Sequence, residues 1–178
     1  MYVVITIVIP GIPAESHTTL IALRPRRTVR SGEFGNLSYL GRGPHENYID
    51  RNTSALVGLY QSKAIEQYYP YDRPQENGYK TDVRWVSLKN NKGIGLKANG
   101  SSLISTSALP FAREDFDPGE RKAQRHINDV SPQYFVEWHI DLMQMGVGGD
   151  NSWGARTHDE YLIFPGIYHF NFSLVPIM

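Results

Sequence analysis

Cysteine does not occur in this chain of 178 residues. Its absence excludes disulfides, thiolate metal sites and cysteine nucleophiles, and leaves the compartment undecided. An excess of charge is also lacking. Lys and Arg number 18 and Asp and Glu number 18, so no global field draws the chain to nucleic acid or to an anionic membrane. No apolar run approaches the length of a membrane span. Residues 1–9 are apolar but carry no basic residue ahead of them, and Pro10-Gly11 cuts them short, so they do not read as a secretion signal. The 6 histidines show no metal-ligand spacing, and neither a phosphate loop nor a nucleophile elbow is found. No metal site, nucleic-acid partner or membrane partner is therefore expected. What the chain does hold is aromatic residues (Tyr 11, Phe 7, Trp 3) and turn formers (Gly 16, Pro 11). Together they point to an all-β chain, large enough to bury a real core as one domain over 1–178.

Read in order, residues 3–9 are β-branched almost throughout, a strand either buried on both faces or left as a sticky edge. Residues 18–23 read as a second strand, 24–30 as a basic solvated loop, and 37–40 and 55–60 as short strands. Residues 83–88 alternate Val83, Trp85 and Ser87 against Arg84, Val86 and Leu88. Asn90-Asn91-Lys92-Gly93 predicts a turn into a strand over 94–98, and Asn99-Gly100 a further turn into 102–108. A short helix over 113–124 is opposed by Pro118-Gly119. Residues 134–145 carry the clearest strand pattern. Tyr134, Val136, Trp138, Ile140 and Leu142 lie on one side, and Phe135, Glu137, His139, Asp141 and Met143 on the other. Residues 160–164 and 167–175 read as a closing hairpin around Pro165-Gly166. The predicted fold is an antiparallel β-sandwich without internal repeat or linker.

The stretch after that strand is Gly146-Val147-Gly148-Gly149-Asp150-Asn151-Ser152-Trp153-Gly154. Glycine at this density disfavours helix and strand, at about 1 kcal/mol per residue relative to alanine, and suits a tight loop with left-handed positions. Asp150, Asn151 and Ser152 can hydrogen-bond nearby backbone and hold it. Two readings of Trp153 stay open on spacing alone. It is either a rim indole, offering a flat apolar face to a sugar ring, or a core Trp under a buried loop.

Two carboxylates across a pocket would suit a glycosidase. Glu46 and Glu76 are the candidates, in Gly43-Pro44-His45-Glu46-Asn47-Tyr48 and Arg73-Pro74-Gln75-Glu76-Asn77-Gly78. The favoured reading is instead that both accept backbone N–H groups and fix their loops, with Arg42, Arg51 and Arg73 as ion partners. His126 and His139 read as polar positions on or beside strands.

Several long motifs recur in order: Tyr39-Leu40-Gly41-Arg42-Gly43-Pro44-His45-Glu46-Asn47-Tyr48, Asp50-Arg51, Gln67-Tyr68, Pro70-Tyr71, Arg73 to Gly78, Thr81-Asp82-Val83-Arg84-Trp85, Phe111, His126, and Met145 to Gly154. In this order they resemble the small-chain, C-terminal domain of family 2 glycoside hydrolase β-galactosidases, clearly over about 37–175 and loosely over 1–36. The resemblance implies a galactose-mutarotase-like supersandwich. It implies that the family's two catalytic glutamates lie on a separate (β/α)8 barrel that nothing here matches, so this chain holds no catalytic residue. It also implies that the glycine loop reaches the barrel's active site. Trp153 would form part of the acceptor-side platform, with Gly148, Gly149, Asp150, Asn151 and Ser152 in support. Asn151 departs from members with a second Asp there. The intact enzymes often use Mg and Na held mainly by other domains, so no cofactor is expected in this chain. The match covers only the later part of the family domain, so unpaired strand edges and self-association are expected.

Two function classes follow. One is a catalytically silent domain of a β-galactosidase, its partners the catalytic barrel and a galactoside or acceptor sugar. The other is a stand-alone sugar-binding or mutarotase-like protein, which needs a converging acid and base. His45 with Glu46 and His139 with Glu137 are the pairs to try, the second discounted because adjacent strand residues point to opposite faces.

Overall fold

The computed structural model describes residues 2–9, 22–23, 29–31, 34–75, 77–116, 126–151 and 153–178, the first three segments by backbone alone. The fold is all-β and antiparallel, of the sandwich type, with almost no helix. The strands are β1 (Tyr2–Ile9), β2 (Ala22–Leu23), β3 (Val29–Ser31), β4 (Asn36–Gly43), β5 (Leu56–Lys63), β6 (Lys80–Lys89), β7 (Gly95–Leu109), β8 (Val136–Asp141), β9 (Met143–Gln144) and β10 (Gly166–Ile177). Eight of them form one sheet in the order β1-β10-β7-β6-β4-β5, with β8 pairing both β7 and β3; β2 pairs β9 separately.

The 15-residue β7 organises this sheet. Its first part, from Gly95 to Gly100, pairs β10, and its last part, from Ser105 to Leu109, pairs β8. Between them Asn99-Gly100 does not turn the chain round as the sequence predicts. Trp85 lies opposite Asn99 whereas Val83 lies opposite Ile104, so the residues 100–103 face Arg84 alone and form a bulge. A bulge bends a strand and changes the phase of its neighbours. Hence Val83 is buried with Val86 and Leu88 rather than opposite them, while Trp85 is only partly buried, under the Lys97 ammonium. Phe170 and Phe172 of β10, and Val136, Trp138 and Ile140 of β8, join Leu37, Tyr39 and Val86 in a single core cluster. Trp138 is satisfied there, since its indole N–H donates to Thr106 Oγ1 at 3.0 Å.

Other expectations need correction. The segment 24–30 is not wholly loop, because Val29–Ser31 pairs β8; residues 24–28 lie outside the described residues. The long strand over 134–145 is interrupted, and forms β8 and β9 with Leu142 between them. Asp159–Tyr161 is a 3-10 turn rather than half of a hairpin, so β10 pairs β7 and β1 across the molecule instead of its chain neighbour. The 113–124 helix is a single turn, Arg113–Phe116, and residues 117–125 lie outside the described residues. β1 is an edge of the sheet, beside β10, which is interior.

Candidate functional site

Two loops and a small recess hold the candidate residues. The first runs from Pro44 to Arg51. Tyr48 and Arg51 exchange both backbone hydrogen bonds, Tyr48 N to Arg51 O at 3.1 Å and Arg51 N to Tyr48 O at 2.8 Å, so residues 48–51 are a tight reversal. Glu46 anchors it. The carboxylate is buried and accepts from Gly78 N at 2.9 Å, Tyr48 Oη at 3.2 Å, Arg51 Nη2 at 2.9 Å and the Tyr71 hydroxyl. Burial pushes this carboxyl up. The hydrogen bonds from Tyr71 and Gly78, the Arg51 charge and the Tyr48 hydroxyl outweigh that and hold it below the usual carboxylate range. Gly78 sits at φ +73°, and a β-carbon there would lie 2.8 Å from the Gln67 carbonyl oxygen. Lys80 is buried beside it and donates to Gly78 O at 3.1 Å; burial pulls its ammonium down to about 8, against the pull of Glu46.

Glu46 is therefore a structural hub with its oxygens already engaged. Of the three arginines, Arg51 is its ion partner. Arg42 instead pairs with Asp82 at 2.5 Å, where Asp82 takes φ +52°. Arg73 is exposed, and Glu76 lies outside the described residues. His45 is exposed and contacts Ser54 Oγ at 3.0 Å, away from Glu46.

The second loop carries Trp153. Gly146 N donates to Tyr161 O at 2.9 Å, and Gly148 N to Asp50 Oδ2 at 2.7 Å. Gly149 lies so close to Ala155 that a β-carbon on it would be 2.2 Å from the Ala155 carbonyl oxygen, so only glycine closes the loop there. Asn151 Oδ1 accepts from Trp153 N at 2.8 Å and Ala155 N at 3.4 Å, and Gly154 takes φ +98°. Asp150 pairs with His158 at 2.8 Å, and that hydrogen bond raises the imidazole's pKa. Ser152 lies outside the described residues. Trp153 itself is 94% exposed, which excludes the core reading. The structure thus places Gly148, Gly149, Asp150, Asn151 and Trp153 on one loop, its backbone held from outside by Asp50 and Tyr161. In the sequence Asp50 stands only as part of the Asp50-Arg51 motif, and nothing local marks it as the residue that reaches the glycine loop.

The third feature is a small recess lined by Ser107, Leu109, Phe111, Arg113, Phe116, Glu137 and His139. His139 Nε2 lies 3.1 Å from Glu137 Oε1. The discounting of this pair was wrong, since residues two apart on a strand share a face. The polar face of β8 is buried too, with Tyr79 Oη donating to Asp141 Oδ2 at 3.1 Å. Among the described residues no group of three His, Asp or Glu is placed to hold a metal ion.

Residues 26–174 match the model of the beta galactosidase small chain, and the chain belongs to that family. The match begins before residue 37, where the sequence motifs become clear. The chain is 41% identical over 145 residues to a beta-galactosidase of Priestia megaterium, covering 81% of this chain and 14% of that protein. It is 33% identical over 147 residues to a beta-galactosidase of Pseudoalteromonas haloplanktis (83% and 13%) and 37% identical over 133 residues to one of Lactobacillus delbrueckii subsp. bulgaricus (74% and 12%). The chain thus spans only 12 to 14% of the length of these relatives.

Proposed function

We propose that this chain acts as the small-chain domain of a β-galactosidase that hydrolyses terminal β-D-galactosides such as lactose, and that it supplies Trp153 to the acceptor side of the active site. The observation that carries the reading is the 94% exposure of Trp153 on a loop whose backbone is otherwise pinned. A rigid, exposed indole has a flat apolar face ready for the C–H face of a pyranose, with little left to order on binding. The catalytic carboxylates belong to a separate barrel, because Glu46 is engaged by four donors within its own loops. Leu56 and Leu59, 71% and 62% exposed on the edge strand β5, suit coverage by another domain or by a second copy.

Covering about half an indole, ~100 Å² at ~25 cal/mol/Å², gives roughly 2.5 kcal/mol before ordering. Ordering and imperfect polar pairing leave about 1–2 kcal/mol, or ten- to thirtyfold in acceptor affinity. In the full-length enzyme, Trp153→Ala should lower galactosyl transfer to glucose relative to water by that order. An unchanged hydrolysis-to-transfer ratio would sink the reading. The purified 178-residue chain is expected to show no turnover of lactose or of a nitrophenyl galactoside.

A mutarotase-like activity has one observation in its favour, the His139–Glu137 pair in its recess. An acid and a base for ring opening must flank the sugar, whereas these two lie 3.1 Å apart and leave no space between them. Polarimetry of α-galactose with the purified chain should show only the spontaneous rate.

A further inference from the structure

Asp50 is the contact between the two loop systems that were legible as separate motifs. Its Oδ2 accepts from Gly148 N at 2.7 Å and from Thr157 Oγ1 at 3.4 Å. Those partners sit on either side of Trp153, one on the segment leading into the loop and one on the segment leaving it. Oδ1 is buried and has no hydrogen-bond partner, so the carboxylate is shielded from solvent on one side, and the bond that Oδ2 accepts from Gly148 is charge-assisted. The carboxylate also fills the space in front of Gly146. A β-carbon on Gly146 would lie 2.7 Å from Asp50 Cγ and Oδ2 and 2.5 Å from Thr157 Oγ1. Glycine at 146 and aspartate at 50 are thus two halves of one fit. Asp50 is in turn held by the Tyr48–Arg51 reversal, and that reversal by the Glu46 hub.

We infer that Asp50 is a positioning residue which clamps the backbone of the Trp153 loop at Gly146 and Gly148, and thereby sets how the enzyme divides galactosyl transfer between an acceptor sugar and water. This rests on the acceptor-side reading of Trp153 given above. Asp50 touches no sugar; it acts through the loop. The buried Glu46 corner and the exposed indole are in this way one mechanical unit, which explains why a loop 94% exposed at its tip is drawn taut at its base.

Two measurements test this. The first is hydrogen–deuterium exchange of residues 146–155 in the 178-residue chain. Asp50→Ala should speed exchange at Gly148 by roughly fivefold or more, the size of effect expected for one lost charge-assisted hydrogen bond. Asp50→Asn, which keeps an acceptor oxygen and the side-chain volume, should restore part of the protection and serves in place of Asp50→Ala if that variant does not fold. Trp153→Ala should leave exchange at Gly148 unchanged. The second measurement is the transfer-to-hydrolysis ratio with added glucose in the full-length enzyme, for Asp50→Asn, Asp50→Ala, Trp153→Ala and the doubles. Asp50→Ala should lower the ratio roughly three- to tenfold, and should change it less than about twofold once Trp153 is already alanine. Unchanged exchange at Gly148 in both Asp50 variants would overturn the clamp. An equal fall of the ratio with and without Trp153, or a fall in melting temperature with the ratio intact, would overturn the link from Asp50 to specificity. Trp153→Ala without effect on the ratio would instead remove the acceptor reading alone, because exchange reads the clamp in the absence of any sugar.

Discussion

The Glu46 corner and the Trp153 loop are both short and polar, and both carry a carboxylate beside an aromatic residue. Their environments are opposite. Glu46 is 9% exposed and surrounded by donors from Gly78, Tyr48, Tyr71 and Arg51, whereas Trp153 is 94% exposed and contributes only its backbone N–H to the loop that holds it. A buried, saturated carboxylate has no lone pair left for a substrate, so its chemistry is spent on the fold. An exposed indole on pinned backbone leaves its whole face for a ligand. Side-chain type alone suggests the first as the reactive group and the second as packing; burial and partner count reverse that order. Trp138 and Trp153 repeat the lesson, since Trp138 is 1% exposed and its N–H is taken by Thr106.

The largest test of this contrast is Glu46→Ala. Removing the buried carboxylate leaves two tyrosine hydroxyls and the Gly78 N–H unpaired and takes the partner from the half-exposed Arg51; each buried group left unsatisfied costs about 1–3 kcal/mol. Urea denaturation should show a matching fall, and an unchanged midpoint would mean that the corner is a free site after all. Gly78→Ala comes next. The left-handed φ of +73° and the crowding against Gln67 O make a loss of roughly 2–3 kcal/mol the expected result in the same assay. A smaller effect is pH-dependent. The folded pKa of Glu46 lies below its unfolded value, so the unfolded chain binds more protons in that window and stability falls as pH drops through it. Melting temperature should therefore decline from about pH 5 to about pH 3, and Glu46→Gln should flatten that decline. Lys80 works at the other end. Its pKa is lowered to about 8 by burial, so stability should rise as pH climbs from about 8, and Lys80→Met should remove the rise. The smallest expected effect is on the other side of the contrast: Trp153→Ala should move stability by less than about 0.5 kcal/mol, because an exposed side chain leaves no cavity. A large loss there would make Trp153 part of the core.

The strands that alternate cleanly were legible. Residues 136–141 and 167–175 read as strands because one face buries Val136, Trp138 and Ile140 in the first, and Phe170 and Phe172 in the second. Asn99-Gly100 was misread because Asn-Gly marks either a reversal or a bulge, and only the partners decide: β6 continues past it, and beyond it β8 takes the place of β10. Pro165-Gly166 was misread for the same reason, as the strand after it finds β1 and β7 rather than the segment before it.

What the sequence determined by itself is the fold class, the family through its ordered motifs, and the glycine loop with Trp153 near its end. These are encoded locally, in residue period, composition and short runs of neighbours. What only the tertiary structure decided is which carboxylates are engaged and with whom. Glu46 meets Gly78, which is 32 residues away, and Asp50 meets Gly148, which is 98 residues away. A hydrogen bond acts over about 3 Å of space and is indifferent to chain separation, so no local pattern marks the two ends of such a contact until the chain has folded and brought them together.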